Sequence, residues 1–305
     1  QLLNHTSGIE SYTENEEWIV RVYKDPTHFW NAPSELLKLV RGAHSPPGSP
    51  FYYSNTNFIL LGMIAAKADG YSFNDWDKVI QRRFLDKLAL TNSHIPVPRD
   101  VELGSTNRGY VNFYNFLGVG QDGRPNCFIV NPSCQNADSD FTRQDMSNAW
   151  SAGEIISTVG DLTKWINAEV KGDLLPPAIR QQQQQFIPTC VPGQKDCHTA
   201  DVEVGLAMFK QMRFGFIGHR GEIFGFNGTI QYLPQRDLTV VVLSNRTALD
   251  GNHVGPIPET VAAALFPGLE SRPTPRAPGN SQLSLPDRLS HFPLPARFRK
   301  RSMTP

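Results

Sequence analysis

No stretch of this 305-residue chain is apolar for long enough to cross a bilayer. The longest such run, Phe58 to Ala66, falls far short of the ~20 residues a spanning helix needs. An excess of one charge is also lacking. Lysine plus arginine number 29 and aspartate plus glutamate 29, so the formal net charge is zero, which argues against a uniformly basic nucleic-acid binder. Cysteine is scarce, at four residues, and the eight histidines form no His-x-x-x-His pair. A hydrolase built on clustered metal ligands is therefore not supported, and no cofactor is expected. No internal repeat is visible, which sets aside solenoids and propellers. What remains, 39% hydrophobic and 19% charged, is the composition of a soluble globular protein with a substantial core.

The even charge balance hides an asymmetry. Ser271 to Pro305 carries seven Lys/Arg against one acidic residue, and seven of the 24 prolines, without a hydrophobic period. It reads as a disordered, solvated extension, which divides the chain into a domain over 1–269 and a basic tail over 270–305. Cys127/Cys134 and Cys190/Cys197 form two pairs in loop-like sequence, each with six residues between. Three connectivities are open, and two local bridges are the simplest. Each would contribute about 2–3 kcal/mol on a chain-entropy model. A metal site on Cys190, Cys197 and His198 is the rival, with looser spacing than zinc sites use. Disulfides imply an oxidising compartment, and glycosylation sequons at Asn4, Asn227 and Asn245 fit a secreted protein. The chain opens at Gln1, without Met or a signal-like segment. The expectation is a processed form or a fragment whose signal lies upstream.

Residues 1–50 read as loop and short helix, with a helical turn or two over 34–42, and "HSPPGSP" breaks the chain before the next element. In "PFYYSNTNFILLGMIAAKADGYS", Asn55, Thr56 or Asn57 can cap a helix. Its expected buried face is Phe58, Leu61, Ile64, Ala65 and Ala68, and Gly70 closes it in the left-handed conformation. Further helices are predicted over 74–88, over 157–173, and at "PPAIRQQQQQF" with Pro in the first turn. From Val202 the period becomes two. Residues 202–212, 214–219, 228–234 and 238–245 read as four antiparallel strands, the last two a hairpin across Pro234–Asp237. A closing helix, "IPETVAAALFPG", follows. Helices, then a meander, then a helix give an α+β or layered α/β domain.

Two clusters invite chemistry. Tyr53-Ser54-Asn55 stands at a helix entrance, and capping does not account for the tyrosine. In "GHRGEIFGFNG", His219 is flanked by Gly218 and Gly221, which let other groups approach the backbone closely. Taken singly, the first is a cap with a packed tyrosine and the second a hydrogen-bonded strand end. Without neighbouring blocks these simpler readings prevail, since motif matches need context.

The context is supplied by four ordered blocks: "LLNHTSGI", "YSNTNFILLGMIAAKADGYS", "WSAGEIISTVGDLTKW" and "GHRGEIFGFNGTIQYLP". In order and spacing they resemble the penicillin-recognising serine hydrolases. These are class C-like β-lactamases, D-alanyl-D-alanine carboxypeptidases and related esterases and aminopeptidases, and the match extends from residue 1 to about residue 267. The resemblance implies a layered β-lactamase/transpeptidase-like fold, an antiparallel sheet packed with helices beside a helical region, with a cleft between. It also implies nucleophilic catalysis by a serine in Ser-x-x-Lys, through an acyl-enzyme. Tyr53 would be the base and proton shuttle, a task that an ordinary tyrosine needs a nearby cation to perform. Asn55 would donate to the substrate amide carbonyl. His219, first in a Lys/His-x-Gly motif ending at Gly221, would organise the cation field. The backbone N–H of Glu222 would be an oxyanion donor, and Trp150 would line the cleft. Arg220 stands where the family often has a small or hydroxyl residue. It would either bind a substrate carboxylate or narrow the pocket.

A larger departure is the absence of any Ser-x-x-Lys, Thr-x-x-Lys or Cys-x-x-Lys. The family places that motif several tens of residues before the "HTSG" block. The expectation is therefore the C-terminal portion of a secreted serine hydrolase, without its first strands and nucleophile helix. The missing N-terminal segment becomes its partner, beside a small-molecule or peptide substrate, with no nucleic acid and no membrane span. The rival is a non-catalytic binding relative of the same fold. Peptides, β-lactams, esters and D-amino-acid amides all remain open as ligands, because fold does not choose among them.

Overall fold

The computed structural model describes residues 1–96, 98–102, 107–113, 127, 131, 133–172, 174–189, 202–247 and 254–269. The basic tail and the Cys190/Cys197 pair lie outside the described residues.

Helices dominate the first part. α1 (Glu16–Lys24) begins where the Asn15 side chain accepts the Glu17 N–H, with two glutamates in its first turn and Arg21 and Lys24 in its last. That arrangement matches the helix dipole. α2 (Ser34–Lys38) and α3 (Asn55–Ala68) follow. Gly70 sits at φ +82 just past α3, as its left-handed closure requires. The buried face of α3 is not the expected one. Thr56, Asn57, Ile59, Gly62 and Ala66 are buried, whereas Ile64 is 54% exposed. The helix is apolar nearly all round, so its neighbours decide which face is covered. Gly62 faces Ser151 so closely that an added Cβ would lie 2.3 Å from its Oγ. The helix predicted over 74–88 is α4 (Trp76–Ile80) running on into a π-helical turn, Gln81–Leu85. A two-stranded ladder of β1 (Tyr110–Val111) and β2 (Ser139–Asp140) follows. Cys127 and Cys134 are disulfide-bonded.

α5 (Val159–Val170) is capped by the Thr158 hydroxyl, which accepts the Asp161 N–H at 3.3 Å, and α6 (Pro177–Gln183) opens on its proline. The sheet then forms in chain order: β3 (Ile187–Pro188), β4 (Val202–Val204), β5 (Phe209–Gln211), β6 (Ile217–Ile223), β7 (Phe226–Leu233) and β8 (Leu238–Ser244). All neighbours are antiparallel. The single strand expected over 202–212 is two, folded back at Ala207, whose φ of +57 no glycine signals. β6 and β7 are longer than expected and meet at Phe224–Gly225, with Gly225 at φ +90.

The two sheet faces are covered differently. Ile166 and Val170 of α5 pack with Met208, Ile217 and Tyr232 on one face. On the other, α7 (Ile257–Leu265) brings Ala262 against Phe214, Phe216, Leu233 and Val240. A third, aromatic core holds the helical region, and Phe224 at the β6–β7 tip enters it, stacked on Trp18 at 5.7 Å. The Gln144 amide donates to the Phe224 carbonyl at 2.7 Å. The tip of the hairpin is thus pinned in the helical core. No helix among the described residues is long and apolar enough to cross a membrane.

Candidate functional site

The N-terminus of α3 is built by chain from residues 5–13. Ser54, not a residue of the Asn55–Asn57 triplet, is the N-cap, and its hydroxyl makes no cap bond. The orphan donors are satisfied from outside the helix. Asn55 N–H donates to Ser11 Oγ (3.1 Å) and Ser54 N–H to His5 Nδ1 (3.1 Å). Thr56 Oγ1 accepts from Tyr12 N–H at 2.9 Å and donates to the Glu10 carbonyl at 2.7 Å. The Asn55 amide donates to Thr13 Oγ1 at 3.1 Å. This lattice, and not helix propensity, fixes the turn that carries Tyr53.

Tyr53 stacks on His5, with centroids 4.3 Å apart and planes 27° off parallel. Phe209 of β5 stands between this pair and β6, 6.4 Å from the Tyr53 ring, 6.4 Å from His5 and 5.2 Å from His219. Tyr53 and His219, far apart in sequence, therefore converge on one aromatic cluster. Burial pushes the Tyr53 phenol up to about 12, so it is protonated at neutral pH. Burial also lowers His219, while its hydrogen bond to the Arg220 carbonyl works the other way. Burial first, and the field of His219 second, bring His5 down to about 3. Both imidazoles are neutral at pH 7.

The other expected residues divide. β5 leaves β6 after the Phe209–Gly218 pair, so among the described residues His219–Ile223 pairs only with β7. Among the described residues, a Cβ added at Gly221 would meet nothing within 4 Å. Arg220 points away from His219, as strand alternation dictates. It lies 2.8 Å from the Gln211 side-chain oxygen, once that amide is oriented to donate to Glu259 as well. Trp150, expected in the cleft wall, is buried in the helical core, edge-on to Trp76 at 5.9 Å, with φ +43. Sequence reasoning gave His5 no role. Its only signal was its place in the "HTSG" block. The described residues hold no group of three or more His, Cys, Asp or Glu able to bind a metal.

Comparison with known proteins agrees with this architecture. The Beta-lactamase family model matches residues 1–264. The chain is 26% identical over 221 residues to the mitochondrial serine β-lactamase-like protein LACTB of Bos taurus, a match covering 66% of this chain and 35% of LACTB. It thus spans about a third of that relative's length. Among solved structures, a D-stereospecific amidohydrolase from Streptomyces sp. superposes with a TM-score of 0.68 at 23% identity, covering 88% of this chain and 72% of that one. The D-amino acid amidase of Ochrobactrum anthropi SV3 bound to D-phenylalanine gives 0.60 at 21%, covering 87% and 70%. At these identities the two structures support the fold alone.

Proposed function

The chain belongs to the Beta-lactamase family, and on that premise we propose that it is the part of a secreted serine hydrolase carrying the proton-handling and strand-edge half of the site. The attacking serine and its lysine are supplied by sequence outside residues 1–305. The single observation behind this reading is the convergence of Tyr53 and His219 on one cluster beside β6, where β5 leaves it. An extended acyl substrate, whether amide, peptide or ester, would lie along this stretch of β6. The Glu222 N–H would then meet the developing oxyanion. Asn55, released from Thr13, would donate to the substrate amide. Tyr53 would move the proton once the lysine of Ser-x-x-Lys stands beside it, because an adjacent cation reverses the upward push of burial. The D-amino acid amidase makes a D-amino-acid amide a reasonable first substrate to assay. The Cys127–Cys134 bridge supports an oxidising compartment.

The test is the intact mass and N-terminal peptide map of the native protein, followed by a fluorescent penicillin and an ester probe. A parent with an upstream Ser-x-x-Lys should be labelled at that serine. Tyr53→Phe should slow acylation by roughly 10²–10⁴-fold, the range for a lost general base. A native protein that carries the motif yet takes no label from either probe points instead to a binding relative.

A further inference from the structure

One ring of the cluster, that of His5, has no task in the proposed chemistry. His5 holds φ +57, uncommon outside glycine. It is 1% exposed, and among the described residues its Nε2 has no hydrogen-bond partner, an arrangement that costs stability. A histidine kept in such a place needs a reason.

Its Nδ1 faces two N–H donors, the Ser54 backbone at 3.1 Å and the Asn57 amide at 3.4 Å, the latter oriented by the Ser7 hydroxyl at 2.6 Å on Asn57 Oδ1. An imidazole that accepts at Nδ1 carries its proton on Nε2. The tautomer is therefore fixed by the same turn that presents Tyr53. The ring lies over the phenol, and Phe51, Phe58 and Phe209 close around it. Resting on the hydrolase reading, we infer that His5 is the positioning residue of Tyr53: a neutral imidazole, clamped at Nδ1, that fixes the turn before α3 and holds the phenol flat in the site.

His5 thus acts by shape and not by charge. Brought down to about 3 by burial and His219, it cannot be the cation a tyrosine base requires. Its ring instead keeps water from one face of the phenol, part of the burial that raises Tyr53.

The proposal is tested on the 305-residue chain by NMR with ¹⁵N-histidine and ring-¹³C-tyrosine, Tyr53 being assigned through Tyr53→Phe. The wild-type His5 is expected as the neutral Nε2–H form down to about pH 4, with Tyr53 titrating near its raised value. His5→Asn suits the left-handed backbone and can still accept the Ser54 N–H, but has no ring. It should lower the Tyr53 pKa by about one unit, whereas His5→Phe, which keeps a ring, should not. In a parent that carries the serine, His5→Asn should cut acylation kcat at least about tenfold with KM little changed. An unshifted Tyr53 in a folded His5→Asn chain overturns the proposal. So does a wild-type His5 protonated at Nδ1, a result that needs no variant to fold. If Tyr53 shifts as expected but no parent is ever acylated, the positioning role is supported and the hydrolase reading fails.

Discussion

Glu154 sets a pH dependence of its own. The residue is 6% exposed. Burial, then Asp145 and Asp77, push it up to about 8, against the pull of a hydrogen bond from Trp76. In the unfolded chain the same group ionises near its ordinary 4.5. The folded form therefore holds a proton the unfolded form has released, and its stability is complete below pH 4.5 and lost as pH rises towards 8. The slope approaches about 1.4 kcal/mol per pH unit. Glu154→Gln keeps an acceptor for Trp76. It is expected to leave the melting temperature unchanged at pH 4.5 and raise it at pH 8.5; equal melting at pH 8.5 would mean that the carboxylate is hydrated. At this scale motif spacing singled out Tyr53 and His219 as candidates, and the fold brings both to the Phe209 cluster. His5 was not singled out, since nothing in its neighbours announces that its ring will lie on Tyr53. The partners of Arg220 became visible only with β5 and α7 in place, because alternation gives a face and not what covers it.

Among elements, α3 separates what pattern can tell from what packing decides. Its limits were legible: a polar triplet, an apolar run and Gly70 define one helix. Its buried face was not, because a helix apolar on all sides has no period to read. The contact at Gly62 chose the face. This gives a prediction in which two effects oppose. Helix propensity alone favours Gly62→Ala by about 1 kcal/mol. The new Cβ would sit 2.3 Å from Ser151 Oγ and 2.5 Å from Ser151 Cβ, and overpacking of this kind costs about 1–3 kcal/mol. Packing should win, so Gly62→Ala is expected to lower the denaturant midpoint. Ser151→Gly should restore much of the loss in the double variant. A stabilised Gly62→Ala single variant would show that the 150–152 turn yields freely. The β4–β5 reversal escaped the sequence for a related reason, since Ala207 takes a left-handed conformation that turn chemistry assigns to glycine or asparagine.

On the scale of the whole molecule, three cores meet along the β6–β7 hairpin, and that meeting makes the site. The helical core grips the hairpin through Phe224, α5 and α7 hold the two sheet faces, and the Tyr53 turn reaches the middle of β6 through Phe209. The class of fold was legible from the change of period at Val202 together with four ordered blocks. The closure of the sheet was not, because strand order depends on which edges find partners. β8 ends the six-strand order, and among the described residues no strand pairs with the far side of Leu238–Ser244; β1 reaches the chain only just beyond, through the Tyr110–Arg246 bridge. Its seven residues, "LTVVVLS", contain no charge and no proline, and Leu243 is 45% exposed. An uncovered edge of this composition is a template for pairing with another chain. The 305-residue chain is therefore expected to self-associate as its concentration rises. Leu243→Lys places a charge on that edge at an already solvated position, so it should cost the fold little while suppressing the association. Sedimentation velocity across a concentration series decides it. Association equal in wild type and Leu243→Lys would locate the contact elsewhere, and a monomeric wild type at every concentration would mean that the β8 edge is covered within the chain.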